Sequence, residues 1–125
     1  MWYLARMTFT PQVLQHFEQP HNSGELPGAT VMAEASNPAC GDVLHLYARV
    51  EKGVLEEVRF KASGCTTAIA CGSILTDILT GVPIAHAKNL TAPMIADSLG
   101  GLPPTTEHGS QLAIDALAAL LNKIK

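Results

Sequence analysis

Residues 43–62 leave few choices of fold. From Val43 to Val50 the chain alternates, with Leu44, Leu46, Ala48 and Val50 on one side and His45, Tyr47 and Arg49 on the other. A period of two is the signature of a half-buried strand. Glu51-Lys52-Gly53 reads as a short hairpin loop, with glycine where a positive φ is expected. The return strand sets Val58, Phe60 and Ala62 against Glu57, Arg59 and Lys61. Strands with one apolar and one polar face belong to an antiparallel sheet that is wet on one side. The hairpin also makes neighbours of its two outer ends, near residues 42 and 63.

Around this hairpin the remaining pattern is mostly helical. Thr10-Pro11 is a hydroxyl N-cap followed by proline at the first helical position. Val13, Leu14 and Phe17 follow at helical spacing, and Pro20 stops that helix. Thr30 to Ala35 is a weakly patterned third strand. Beyond Ser63-Gly64 the period turns helical from Thr66 to Leu79, with Ile69, Ala70, Ile74, Leu75, Ile78 and Leu79 as the expected buried stripe and Gly81 as the stop. A short helix is expected near Pro83, and another from Thr91-Ala92-Pro93 to Gly100-Gly101. The last runs from about Ser110 to Ile124, burying Leu112, Ala113, Ala116, Leu117, Leu120, Leu121 and Ile124. The expected class is α+β, a small three-stranded antiparallel sheet with helices packed on one face. At 125 residues the expectation is one domain, with residues 1–10 a flexible extension ahead of the patterned sequence.

Composition excludes several functions. Eight basic against eleven acidic residues give a net charge of −3, the wrong sign for a nucleic-acid face or a polybasic membrane anchor. The longest charge-free stretch, Ala62 to Thr76, falls short of the ~18 residues a membrane span needs and is rich in Gly, Ser, Thr and Cys. The first residues are too short an apolar run for a secretion signal, so the expected compartment is the reducing cytoplasm. Three cysteines cannot make a disulfide framework and are instead core filler, metal ligands or reactive thiols.

Two of the three stand where chemistry is plausible. Cys40 lies in Asn37-Pro38-Ala39-Cys40-Gly41-Asp42, a loop just before one strand of the hairpin, and Cys65 follows Gly64 just after the other. Hairpin geometry alone therefore brings Cys40, Asp42 and Cys65 to one end of the sheet. Cys65 also falls at a helix start, where free N–H groups favour a thiolate. Two thiolates and a carboxylate at one point call for a metal ion. The plainer readings are core filler for the cysteines, above all for Cys71 within the helix, and a turn cap for Asp42. His108, just before the last helix, has the plain reading of a residue at a helix start. His16, His21, His45 and His86 carry no partner signal and are expected at the surface or its boundary.

Four segments, in order, resemble the iron–sulfur cluster scaffold family, the IscU proteins and the N-terminal domain of NifU. They are Val13 to Gly24 (VLQHFEQPHNSG), Asn37 to Asp42 (NPACGD), Gly64 to Gly81 (GCTTAIACGSILTDILTG) and Leu102 to Ala113 (LPPTTEHGSQLA). The resemblance implies that Cys40 and Cys65 match the first two cluster cysteines, Asp42 the aspartate that keeps a cluster labile, and His108 the histidine before the third cysteine. There the chain departs: Gly109 stands in place of that cysteine, which in the family receives sulfur from a cysteine desulfurase. Thr106 replaces the lysine read by a dedicated Hsp70-type chaperone, which argues against that partner, and Cys71 replaces a serine.

On this resemblance the ligand set is Cys40, Asp42, Cys65 and His108, holding a [2Fe–2S] cluster or iron, with Zn²⁺ as an alternative occupant. The implied function is a scaffold or carrier, not an enzyme, that loads from a cysteine desulfurase and delivers to apo acceptor proteins, with neither nucleic acid nor membrane as partner. A different class of reading is a degenerate paralogue that binds one metal as a regulator or store. A zinc hydrolase is the weakest, because no general base stands at a characteristic spacing. Glycine is tolerated near a helix start, so a cysteine at position 109 is expected to fold.

Overall fold

The structure, a computed structural model, describes residues 10–37, 41–64, 66–101 and 108–124, the His108 side chain excepted. Apart from Thr10, the expected N-terminal extension lies outside the described residues.

The hairpin forms as its alternation requires. Strands β1 (Val31–Asn37), β2 (Asp42–Glu51) and β3 (Val54–Ser63) pair antiparallel in that order. Leu46 lies opposite Phe60 and Ala48 opposite Val58, with a register shift at Arg49/Val50. Leu44, Leu46, Ala48, Leu55, Val58 and Phe60 are buried. The other face carries interleaved charge of both signs, such as Arg59 and Glu57 at 3.0 Å.

The sheet has four strands rather than the expected three. Val82–Pro83 forms β4, pairing with Val54 and Leu55. Gly81, at φ 82°, turns the chain back, its N–H donating to the Leu55 carbonyl at 2.6 Å. Two residues are too few to show a period, and Pro83 is tolerated because the strand is at an edge. Further along β3, Phe60 N–H donates to the Asn22 carbonyl at 3.0 Å and Gly24 N–H to the Phe60 carbonyl at 2.8 Å. The 22–24 segment thus covers part of the β3 edge.

Helix α1 (Pro11–Glu18) starts as its sequence demands, the Thr10 hydroxyl accepting from Val13 N–H at 3.2 Å. The same hydroxyl donates to the Leu99 carbonyl, tying α1 to the end of the helix over Ala92–Ser98. Helix α2 (Thr66–Leu79) packs against β3, β2, α1 and both later long helices. Helices α3 (Ile84–Ala87) and α4 (Ala92–Ser98) follow, and α5 (His108–Asn122) lies on β1 and β2. Its first turn begins two residues earlier than the pattern suggests. Helix α5 buries Leu112, Ala113, Ala116, Leu117 and Leu120 as expected.

The apolar stripe expected on α2 is only part of its buried surface. Ile69 and Ile74 are half-buried, while Thr67, Ala68, Cys71, Gly72, Ser73 and Thr76 are buried together with Ala70, Leu75 and Leu79. The cause is central position: a helix covered on several sides meets its closest neighbours through small residues. A β-carbon at Gly72 would stand 2.6 Å from Cδ2 of the Phe60 ring. One buried hydroxyl is absorbed locally, Thr76 Oγ1 donating to the Ser73 carbonyl at 2.8 Å. None of the described helices is long and apolar enough to cross a membrane.

Candidate metal centre

Of the four expected ligands, Asp42 is fully described. Cys40, Cys65 and the side chain of His108 lie outside the described residues. What can be followed is the frame on which the four are strung. Asn37 and Asp42 are paired across β1 and β2, and Gly41 N–H donates to the Asn37 carbonyl at 2.8 Å, closing the loop that contains Cys40. Val43 pairs with Ser63, so Gly64 leaves the sheet beside Asp42. The Asp42 side chain lies against the Gly64 backbone, where a β-carbon would fall 2.7 Å from Asp42 Cγ and 3.0 Å from its Cα. With φ at 135°, Gly64 also has a backbone that other residues adopt only under strain. Asp42 is 2% exposed. A carboxylate so buried is held in place at the strand end, beside the loops that carry Cys40 and Cys65.

Helix α5 reaches the same end of the molecule. Gly109 packs on the first turn of α2, where a β-carbon would stand 2.5 Å from Thr67 Cγ2 and 3.2 Å from the Thr67 carbonyl carbon. A cysteine at 109, expected to fold on the grounds that glycine is tolerated at a helix start, would therefore have to displace Thr67. Thr67 is fully buried and cannot swing aside into solvent. Tolerance at a helix start is a backbone rule, and here the constraint is a close contact between two helices. The Thr67 hydroxyl oxygen itself has no hydrogen-bond partner among the described residues. Cys71, one turn further along α2, is fully buried in the core, as its plain reading held.

A second group of chemically active side chains arises where none was expected. His16 is 7% exposed, and its Nδ1 lies 2.6 Å from Ser73 Oγ. That hydroxyl also accepts from the His21 backbone N–H at 2.8 Å. His21 Nδ1 pairs with Asp77 Oδ2 at 2.6 Å, and Asn22 Nδ2 donates to Asp77 Oδ1 at 3.1 Å. The two imidazoles stack obliquely, 4.7 Å between centroids. Burial, and then the neighbouring His21, hold His16 below the ordinary histidine value of 6.5 against the opposing attraction of Asp77. His16 is thus buried rather than at the surface, while His21 is at the surface as expected but has Asp77 as a partner. The available signal was position: His16 shares its helical face with Val13, and Pro20 ahead of His21 turns the chain back on itself.

Sequence and structure comparisons agree with this frame. The family described as the NifU-like N-terminal domain matches residues 8–125. The iron–sulfur cluster assembly scaffold protein IscU of Aquifex aeolicus is 43% identical over 111 residues, covering 87% of this chain and 71% of that protein. The IscU scaffold of Azotobacter vinelandii is 38% identical over 125 residues, covering 95% of each. The NifU-like N-terminal protein of Brucella abortus superposes with a TM-score of 0.75 over 92% of each chain, at 15% identity, a likeness of fold. The chain belongs to the NifU-like N-terminal domain family.

Proposed function

We propose that this chain is an iron–sulfur cluster scaffold or carrier, holding a nascent cluster, or the iron for one, as cargo between Cys40, Asp42, Cys65 and His108. The observation that carries the reading is the close approach of Asp42 to Gly64, which brings together the chain neighbours of Cys40 and Cys65. A thiolate from each loop suits iron, and the hard carboxylate beside them is the exchangeable ligand through which cargo leaves. Cys40 and Cys65 must be reduced to serve, which suits a reducing compartment such as the cytoplasm. Supply comes from a cysteine desulfurase and delivery goes to apo acceptor proteins, as the relatives' designation as assembly scaffolds supports.

Anaerobic addition of ferric iron and sulfide tests this reading. The expected product is a coloured protein with about two irons per chain and thiolate-to-iron charge-transfer bands. Cys40→Ser and Cys65→Ser each abolish the colour. Asp42→Ala keeps it and lengthens cluster lifetime. Absence of colour in the unmodified chain overturns the reading.

Gly109 supports a second reading, a site for one metal ion. Where the resemblance calls for a third cysteine, Thr67 occupies the space of its β-carbon. Two thiolates, one carboxylate and one imidazole make a tetrahedral site suited to Zn²⁺. One tightly held colourless ion that iron and sulfide cannot displace is its distinguishing result.

A further inference from the structure

We propose that His16, His21 and Asp77 form a binding site for a divalent transition-metal ion of the zinc type, independent of the Asp42 end of the sheet. One ligand atom from each residue lies within 4.8 Å of the others. The three come from separate segments: His16 from α1, His21 from the turn after it, and Asp77 from α2. Two imidazoles and a carboxylate are the donors that zinc-like ions take, whereas Mg²⁺ and Ca²⁺ require oxygen throughout. Three protein ligands leave a fourth position for water, here on the exposed side of the group.

The site is held from behind. Ser73, fully buried, fixes both His16 Nδ1 and the His21 backbone, leaving Nε2 as the uncommitted nitrogen of His16. The chain after His21 is anchored to β3 by the Asn22 and Gly24 bonds to Phe60. Asn22 adopts φ 55°, which asparagine tolerates, and its amide reaches both Asp77 Oδ1 and Thr76 Oγ1. Partners of this kind orient metal ligands. Bonds of 2.0–2.1 Å put tetrahedral ligand atoms about 3.3 Å apart. The side chains that must re-aim are His21 and Asp77, 44% and 36% exposed, while His16 stays fixed. The ion then occupies the space where His21 and Asp77 now share a hydrogen bond.

The test uses the full chain carrying Cys40→Ser and Cys65→Ser, stripped with a chelator so that neither of those thiolates competes, Cys71 being fully buried, and titrated calorimetrically with Zn²⁺. One zinc per chain is expected. His21→Ala in that background weakens binding at least about 100-fold, and Asp77→Asn at least about 10-fold, judged against the 10–100-fold that losing an outer partner costs. Both positions are exposed, and an unchanged unfolding midpoint confirms that each variant is folded. Co²⁺ reports the donors directly: its d–d bands appear without thiolate charge transfer and vanish in His21→Ala. No zinc uptake in this doubly substituted background overturns the proposal. So does uptake that neither substitution weakens, since it then belongs to Asp42 and His108. Neither result bears on cluster loading in the unmodified chain, which is read by colour.

Discussion

The two ends of α2 solve the problem of a polar site in opposite ways. At the first turn, Gly64 and Gly109 let backbone and side chains approach until no β-carbon fits, and the Thr67 hydroxyl is buried beneath without a described partner. Two turns later Ser73, Thr76 and Asp77 are met by His16, His21 and Asn22 through hydrogen bonds. The first end is set by absent atoms and the second by present ones. A site built by exclusion tolerates almost no substitution, whereas one built by hydrogen bonds loses stability bond by bond.

The largest effect is therefore expected at Gly64. Alanine there meets the Asp42 carboxylate and is strained at φ 135°. Positive-φ strain and overpacking together cost about 4 kcal/mol, much of a small domain's stability. Urea unfolding of Gly64→Ala checks this, and a loss below about 1 kcal/mol would show that Asp42 moves freely. Next comes Gly109→Cys, expected to cost about 2 to 3 kcal/mol by overpacking against Thr67. Thr67→Ala removes both the obstructing methyl and the unpartnered hydroxyl. The double variant should regain most of the loss, a coupling that a double-mutant cycle measures. Additive costs would place the obstruction elsewhere.

The hairpin was legible because residues 43–48 and 58–62 alternate on either side of the turn, and its geometry led to Asp42 beside Gly64. The first helix start was legible for a similar reason, since Thr10-Pro11 is a local signal. The crowding at Gly109 was not legible because a glycine carries no mark of what lies above it, and the Thr67 contact joins positions 42 residues apart. The same holds for Ser73, whose bonds to His16 and His21 span 57 and 52 residues. β4 was missed because Val82–Pro83 is strand only by virtue of its pairing with β3.

At the hydrogen-bonded end, Ser73→Ala removes one oxygen and two bonds, leaving the His21 N–H and His16 Nδ1 to find water or go without. The expected cost is about 1 to 2 kcal/mol. Because α1 and the 21–24 segment are both secured there, hydrogen exchange should quicken in those segments before it does in β2. Uniform quickening across the sheet would mean that Ser73 supports the core rather than the cluster.

The smallest effect is a dependence on pH confined to the same end. Burial, with His21 adding to it, lowers the His16 pKa, and Asp77 only partly offsets this. Ser73 is the other group at the ring, and it does not titrate in this range. The folded protein thus binds the His16 proton less readily than the unfolded chain, whose value is near 6.5. Where the unfolded state holds more protons, stability rises with pH. The contribution of neutral His16 is complete above 6.5 and is lost as pH falls from there through the lowered folded value. The measurement is urea unfolding between neutral pH and mild acid, with a chelator present so that no metal ion intervenes. His16→Gln, which keeps a side-chain amide for Ser73 and cannot titrate, should flatten the profile across that window. Asp42→Asn should leave this window unchanged, because Asp42 lies against Gly64 at the other end of α2, away from the His16 ring. An equally steep profile in His16→Gln would assign the acid sensitivity to another group and remove the distinction between the two ends.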